Sequence, residues 1–295
     1  MKLPLLYHDR RLQGDSPCRQ AQLVALHLLE VFKFICDAHG IRFWLAYGTL
    51  IGALRHKGFI PWDDDLDVWI LKSDLNKFIH FAREELPNDV YLELPNDNPR
   101  MENGIIRLRD NYSCGFVYHK RHQLLNDHHG ITIDIFPLER VGGNTPLCRF
   151  FLHQYESTYG IWRRTKYGPV ALTSILNKWK CFLWTYLCYV IWRFLESFFI
   201  EKPYLIPSSW YLGWKFWYRS EWIIGETKRV TLFEGIEMPI PVNPECCLEQ
   251  EYGKTWNTPP PPSDKRVGYY RIVLPTTPCF HPSAMTFPSK GSDYA

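Results

Sequence analysis

The stretch Pro61-Trp62-Asp63-Asp64-Asp65-Leu66-Asp67-Val68-Trp69-Ile70-Leu71 decides how the rest of the chain is read. Four aspartates fall within five positions there. Like charges this close raise one another's pKa and cost stability unless a cation sits among them. On an extended strand, residues i and i+2 share a face. Asp65 and Asp67 are therefore expected to point one way, and Leu66, Val68 and Ile70 into the core. Such a carboxylate platform suits Mg²⁺ or Mn²⁺ rather than zinc. Two other readings stand beside it. Asp63, Asp65, Asp67 and Asp74 also fall at positions 1, 3, 5 and 12 of a calcium loop, but Val68 occupies the position where that loop needs glycine. The other alternative is a solvated acidic turn next to a strand.

Working outward, the apolar run Ile41 to Ala46 reads as a strand that breaks at Gly48-Thr49. A short helical turn over Leu50 to Arg55 follows. A glycine and a hydroxyl residue at a helix start expose backbone N–H groups to an anion, so Gly48 and Thr49 are candidate phosphate binders. Arg55, His56 and Lys57 lie between this turn and the acidic strand, where they could neutralise phosphate charge; they also read as a solvated basic loop. Further on, Ile131-Thr132-Ile133-Asp134-Ile135-Phe136-Pro137 alternates three isoleucines onto one face, with Asp134 on the other beside Thr132 and Phe136. An aspartate in a β-branched run is costly to bury unless it is bound or paired. Asp65, Asp67 and Asp134 together would make a two-metal phosphoryl or nucleotidyl transfer site, and the same three carboxylates are the candidate metal ligands and catalytic groups.

The rest of the chain is consistent with an enzyme core. Residues 19–39 read as an amphipathic helix capped by Gly40, and Ser73 as the N-cap of a helix to about Leu86. Val90–Leu94, Ile105–Leu108, Gly115–Tyr118 and Ile131–Phe136 read as strands. Residues 147–222 read as mostly helical and very aromatic. The expected fold class is α+β, a mixed sheet flanked by helices with a helical, aromatic-rich C-terminal portion. The division is a catalytic core over 1–145 and a C-terminal part over 146–295 packed on its acceptor side.

With 34 Lys and Arg against 31 Asp and Glu, a net charge of +3, bulk nucleic-acid binding is not expected. Nine cysteines in no framework spacing argue for a reduced chain, and neither Cys246-Cys247 nor Cys279 with His281 makes a zinc pattern. Residues Met1–Arg11 hold no apolar core long enough for a signal peptide, which gives the expectation of a cytoplasmic chain. The apolar run Cys181 to Trp192 is too short for a span that needs roughly 20 residues. It reads as a buried core helix, with interfacial contact at the inner face of the membrane as the alternative.

The run Ala46-Tyr47-Gly48-Thr49-Leu50-Ile51-Gly52-Ala53-Leu54-Arg55-His56-Lys57-Gly58-Phe59-Ile60, leading into the acidic stretch, resembles the central motif of the LicD family. Ile133 to Leu138 resembles its second motif. Phe233-Glu234-Gly235, Pro239, Pro241, the segment Glu249 to Gly253 and the prolines after it resemble its C-terminal part. Lys265 and Arg266 follow, with Tyr269-Tyr270 where the family often carries histidine.

The resemblance implies a nucleotidyltransferase-like fold. It also implies transfer of a phospho-alcohol, such as phosphocholine or ribitol phosphate, from a CDP-activated donor to a hydroxyl of a glycan or glycolipid, releasing CMP. Under it, Asp65 and Asp67 would hold metal, Asp134 would complete the site, and Gly48 and Thr49 would face the donor phosphates. Transfer of an NMP to a small molecule or protein is the first alternative. A non-catalytic, membrane-associated or glycan-binding scaffold is the second.

Overall fold

The structure, a computed structural model, describes residues 10–95, 97, 105–117, 128–167, 175–208, 215–261 and 270–276. It is α+β. A seven-stranded mixed sheet has at its centre β6 (Thr132–Val141), the longest strand at ten residues. Along one side of β6 lies β2 (Asp67–Leu71) in parallel, followed by β1 (Phe43–Leu45) antiparallel at the edge. The other side of β6 is shared. Its first half pairs with β4 (Ile106–Asp110), which carries β3 (Val90–Glu93), and its second half with β7 (Tyr204–Pro207), which carries β8 (Tyr218–Arg219). Two ribbons stand apart: β5 (Cys114–Val117) with β11 (Tyr270–Leu274), and the hairpin β9 (Arg229–Phe233) with β10 (Ile236–Ile240).

Both faces of the sheet are buried. On one face Leu45, Val68, Ile70, Leu108, Ile133 and Ile135 pack with α1 (Pro17–Ala38) and α3 (Lys72–Glu85). Helix α1 starts where the sequence dictates: Ser16 accepts the Arg19 N–H at 3.2 Å and Pro17 takes the first helical position. It ends at Gly40, whose φ of +60° turns the chain so that the Ile41 N–H reaches the Cys36 carbonyl at 2.8 Å. On the opposite face Trp44, Trp69, Phe136, Leu138, Leu205 and Tyr218 form a second, aromatic core. Trp69 is two residues from Asp67, so the carboxylate face of β2 is a buried face as well.

Three details differ from the sequence reading. Ser73 is not the cap of α3. The strand β2 runs straight into the helix at Lys72 with no loop, and Asp74 in the first turn faces the positive end of the helix dipole instead. The short turn after β1 is a ten-residue helix, α2 (Tyr47–His56), and Gly48 and Thr49 are inside its first turn. Within 147–222 the helices α4 (Pro146–Tyr167) and α5 (Ile175–Ser197) give way to β7 and β8, because Tyr204-Leu205-Ile206-Pro207 meets the free upper half of β6. Tyr118, the 262–269 tail and Cys279 with His281 lie outside the described residues.

After β8 come α6 (Ser220–Ile223) and α7 (Pro244–Tyr252), and the chain closes back on its beginning. The β9–β10 turn, Glu234-Gly235, has φ of +51° and +81°, the geometry of a tight hairpin. Glu234 accepts two bonds from the Arg19 guanidinium, at 2.6 and 3.1 Å, and one from the Phe59 N–H at 3.2 Å. Its own N–H donates to the Lys57 carbonyl at 2.8 Å. The hairpin thereby clamps the loop after α2 onto α1. At the other end of the chain, buried Arg11, in the 3₁₀ turn Arg11–Gln13, pairs with Asp110 at 2.7 Å and donates to the Pro275 carbonyl.

Gly52 sits where α2 crosses that loop, and a Cβ there would lie 2.5 Å from the Gly58 carbonyl oxygen. Helix propensity alone would make Gly52→Ala stabilising by up to about 1 kcal/mol. The backbone clash reverses the sign, and we expect a loss of about 1–3 kcal/mol in a denaturant titration. A variant as stable as the parent would show that α2 and the loop are not packed this closely.

Candidate active site

The site is built from a row of charges across four neighbouring strands. The parallel register places Asp67 beside Asp134. On its other side Asp134 faces Arg107 of β4, and Arg107 in turn faces Glu93 of β3. Arg107 grips Asp134 through Nε–Oδ1 at 2.7 Å and Nη2–Oδ2 at 3.3 Å, and both side chains are buried. Glu93 takes a further bond from Arg109 Nε at 2.5 Å. The row thus carries two negative neighbours at one end, and among the described residues only Asp134 of those two has a guanidinium partner.

The acidic loop is held against this row by specific bonds. Gln22 of α1 donates to the Asp63 carbonyl at 2.8 Å and to the Ile60 carbonyl at 3.3 Å. The Asp134 N–H donates to the Leu66 carbonyl at 2.8 Å, and Asp65 Oδ1 accepts the Leu66 N–H at 3.0 Å. The Asp67 N–H donates to Thr49 Oγ1 at 2.8 Å, and the Ala46 N–H to the Asp67 carbonyl at 3.1 Å. Thr49 therefore fixes the start of β2. Gly48 lies against the loop, since a Cβ there would be 3.2 Å from Asp63 Oδ2. The residue before it, Tyr47, has φ of +46°, a costly conformation for a bulky side chain. Its ring stands edge-on to Trp69 and Phe136, with centroids 5.3 and 5.1 Å away, which holds it there.

Among the described residues no cation is paired with Asp63, Asp65 or Asp67. Two carboxylates about 5 Å apart repel by roughly 3 kcal/mol at an effective dielectric of 20. Burial, then Asp134, Asp63 and Asp64, raises Asp65 well above the usual carboxylate range. Burial, then Asp65, Asp134, Asp63 and Glu251, does the same to Asp67. Burial and Asp64 push Asp63 up to about 6. Asp63, Asp65 and Asp67 each keep partial contact with solvent, whereas Asp64 and Asp134 are buried. The charge and the oxygen donors of Asp65 and Asp67 fit a hard divalent cation. As placed, Asp134 is turned to Arg107. Among the described residues no three His, Cys, Asp or Glu side chains are grouped tightly enough to hold an ion.

The basic residues singled out with the site are elsewhere. Arg55, His56 and Lys57 occupy the far end of α2, about 10–14 Å along its axis from Gly48. Arg55 donates to the Trp256 carbonyl at 3.2 Å, His56 and Lys57 are exposed, and Lys57 is the left-handed residue that ends the helix. The calcium-loop alternative also fails, because Asp67–Leu71 is a strand and Asp74 lies in α3 near Arg42.

Residues 40–178 match the family described as LicD/FKTN/FKRP, nucleotidyltransferase domain. The matched stretch contains every strand of the charge row and all of Gly48, Thr49, Asp65, Asp67 and Asp134. The likeness to the LicD family therefore lies in this stretch, a little under half of the chain. It is 42% identical over 79 residues to the lipopolysaccharide cholinephosphotransferase LicD of Haemophilus influenzae, covering 27% of this chain and 30% of that one. It is 46% identical over 72 residues to the human ribitol 5-phosphate transferase FKRP, covering 24% and 13%. An uncharacterised protein of Rickettsia typhi is 34% identical over 87 residues, 27% of each chain. The alignments thus span less than a third of these relatives.

Helix α7 brings two further groups to the carboxylates, from outside the matched stretch. Glu251 accepts the Tyr218 hydroxyl at 2.6 Å, and burial pushes it up to about 8 despite that bond. Its Oε2 has no partner among the described residues, and the same holds for the neighbouring Tyr47 Oη and Trp69 Nε1. Burial, then Glu251, Asp67, Asp63 and Asp65, raises the Tyr252 phenol. Arg107 and Glu251 were not singled out from sequence. Arg107 alternates with apolar residues in Ile105–Leu108, a signal that was present; Glu251 was marked only by the resemblance of the segment Glu249 to Gly253, with no pattern tying it to Asp134 more than a hundred residues away.

Two outcomes follow for this arrangement. Arg107→Met leaves Asp134 buried without its cation and should cost about 3–5 kcal/mol in chemical denaturation, part of which Arg107→Met with Asp134→Asn restores. A single-variant loss below about 1 kcal/mol would refute the pairing. Glu251 binds its proton more tightly folded, at about 8, than its ordinary 4.5. The native state therefore loses stability to this group as pH rises from about 4.5 to about 8, with no further change outside that window. In EDTA, the Tm of the parent should fall relative to Glu251→Gln across that window; parallel curves would place the Glu251 carboxyl in water.

Proposed function

We propose that this protein is a metal-dependent transferase that moves a phospho-alcohol from a CDP-activated donor to a hydroxyl of a cell-surface glycan. The observation that carries the reading is the register of Asp67 beside Asp134, with Arg107 answering one of the two charges. The names of the relatives, a cholinephosphotransferase acting on lipopolysaccharide and a ribitol 5-phosphate transferase, support the same class.

In this reading Asp65 and Asp67 hold Mg²⁺ or Mn²⁺, and Arg107 holds Asp134 in place beside them. A bound divalent cation supplies charge neutralisation for the donor's diphosphate. The chain's own residues do the positioning. Among the first-turn amides of α2, those of Gly48 and Thr49 are free of helical partners and offer N–H groups to a phosphate oxygen. Thr49 Oγ1 sets the height of Asp67. A carboxylate of the cluster can take the proton of the acceptor hydroxyl as that oxygen attacks phosphorus and CMP leaves.

Incubation with CDP-choline, CDP-ribitol or CDP-glycerol, Mg²⁺ and a bacterial glycan should release CMP from one donor. Asp65→Asn or Asp67→Asn should lower the rate by at least a hundredfold with the fold intact by circular dichroism. Release of pyrophosphate from a nucleoside triphosphate, with no CMP from any CDP-alcohol, would favour the nucleotidyl-transfer alternative and overturn this one.

A further inference from the structure

Helix α5 is inside out. At 100° per residue, Cys181, Thr185, Cys188, Trp192 and Glu196 line one narrow face, and Thr185, Cys188, Trp192 and Glu196 are buried. That inward face holds the helix's polar and small groups. Thr185 Oγ1 bonds the Cys181 carbonyl at 2.7 Å, and Glu196 accepts the Gly142 N–H at 3.1 Å and pairs with Lys202 at 3.1 Å. The remaining arc, more than half the circumference, is apolar and faces solvent. Trp179, Leu183, Tyr186 and Phe194 are each about 60% exposed, and Phe198 is 68% exposed. From Cys181 to Trp192 the helix carries no charge at all. Leu147, Phe150 and Ile161 of the partnering helix α4 are exposed as well.

Scattered surface leucines need no explanation, but a contiguous apolar face this wide does. Three observations select its occupant. First, the exposed arc is convex and wraps past half of the helix. A protein partner docks on a stripe; a bilayer can receive the whole arc. Second, the face mixes Trp and Tyr with Leu, Val and Phe, the composition of the boundary between headgroups and acyl chains. Third, residues 157–195 contain six Lys and Arg and no Asp or Glu. The whole chain is only +3, so the remainder is net negative, and the positive charge is concentrated on the segment that carries the apolar face. That pattern complements an anionic lipid surface. Crossing is excluded by size: twelve uncharged residues rise about 18 Å against a hydrocarbon core of about 30 Å. Among the described residues no helix is long and apolar enough to cross a membrane.

We infer that the α4–α5 hairpin lies in the surface of an anionic bilayer, with the outward face of α5 embedded among the lipid headgroups. The inference is independent of the transferase reading. Its test is flotation of the full chain with vesicles of phosphatidylglycerol and phosphatidylcholine, or of phosphatidylcholine alone. The protein should float with the anionic vesicles, several-fold less with the neutral ones, and less again in 0.5 M salt. Leu183→Glu with Leu187→Glu, both exposed and so harmless to the fold, should lower the partition coefficient at least tenfold without changing the Tm. Brominated lipid should quench the tryptophan fluorescence of the unaltered chain, since Trp179 and Trp184 enter the interface. Absence of flotation and quenching with anionic vesicles would overturn the inference, as would flotation unaffected by the double substitution. A dimer that the double substitution converts to monomer, in a protein that ignores vesicles, would assign the face to a second copy of the chain instead.

Discussion

Two carboxylates side by side on neighbouring parallel strands are the constraint around which this protein is arranged. Asp67 and Asp134 cannot separate without breaking the β2–β6 ladder, because the register is fixed by apolar residues on the far face: Val68 and Ile70 on one strand, Ile133 and Ile135 on the other. A one-residue slip would turn those side chains out of the core. The repulsion is therefore built in, and the structure answers it asymmetrically. Arg107 neutralises Asp134, and the ordering of the acidic loop by Gln22, Thr49 and the Leu66 carbonyl keeps Asp63, Asp65 and Asp67 crowded where no described side chain balances them. Holding unbalanced negative charge in a folded domain costs stability, and that cost is what motivates the proposed metal-dependent reading.

The second, aromatic core explains how that cost is met locally. Trp44, Trp69, Phe136 and Tyr218 fill the carboxylate face of the sheet up to the site, so the cluster is walled by apolar surface on one side. Tyr47 is forced into a left-handed conformation at the same wall, between β1 and the first turn of α2, and its ring contacts with Trp69 and Phe136 keep it there. Strain at the residue before Gly48 orients the free amides at the head of α2. The strands and helices after residue 200 then complete the wall, with Tyr218 from β8 and Glu251 from α7 meeting beneath Asp67. The part of the chain that carries the aspartates and the later part are thus joined through the site itself. The α4–α5 hairpin, by contrast, meets the sheet through a small separate core around Val141, Cys148, Trp192 and Trp217 and leaves its broad outer face uncovered.

Much of this was legible in the sequence, for local reasons. The strands around Asp67 and at Ile131–Phe136 announced themselves because alternation of apolar and acidic residues has no other economical conformation, and α1 because its apolar repeat and its terminal glycine agree. Asp65, Asp67 and Asp134 stood out because carboxylates in such runs are expensive unless they have a purpose. The basic trio Arg55-His56-Lys57 was misleading: nearness in sequence put it between the two motifs, while a ten-residue helix carries it to the opposite end. The strand at Tyr204–Pro207 was hidden in an aromatic stretch because its partner is the overhang of β6, a feature no local pattern reveals.

The sequence by itself determined which residues are forced to one face of a strand or helix, since the periods of 2 and 3.6 residues are properties of the backbone and do not depend on distant partners. Tertiary structure alone decided which charges meet. Arg107 against Asp134, Glu234 against Arg19, and Glu251 beneath Asp67 join residues 27, 215 and 184 positions apart. Pairings of that kind are set by strand order and register, which depend on how the whole apolar surface is buried at once.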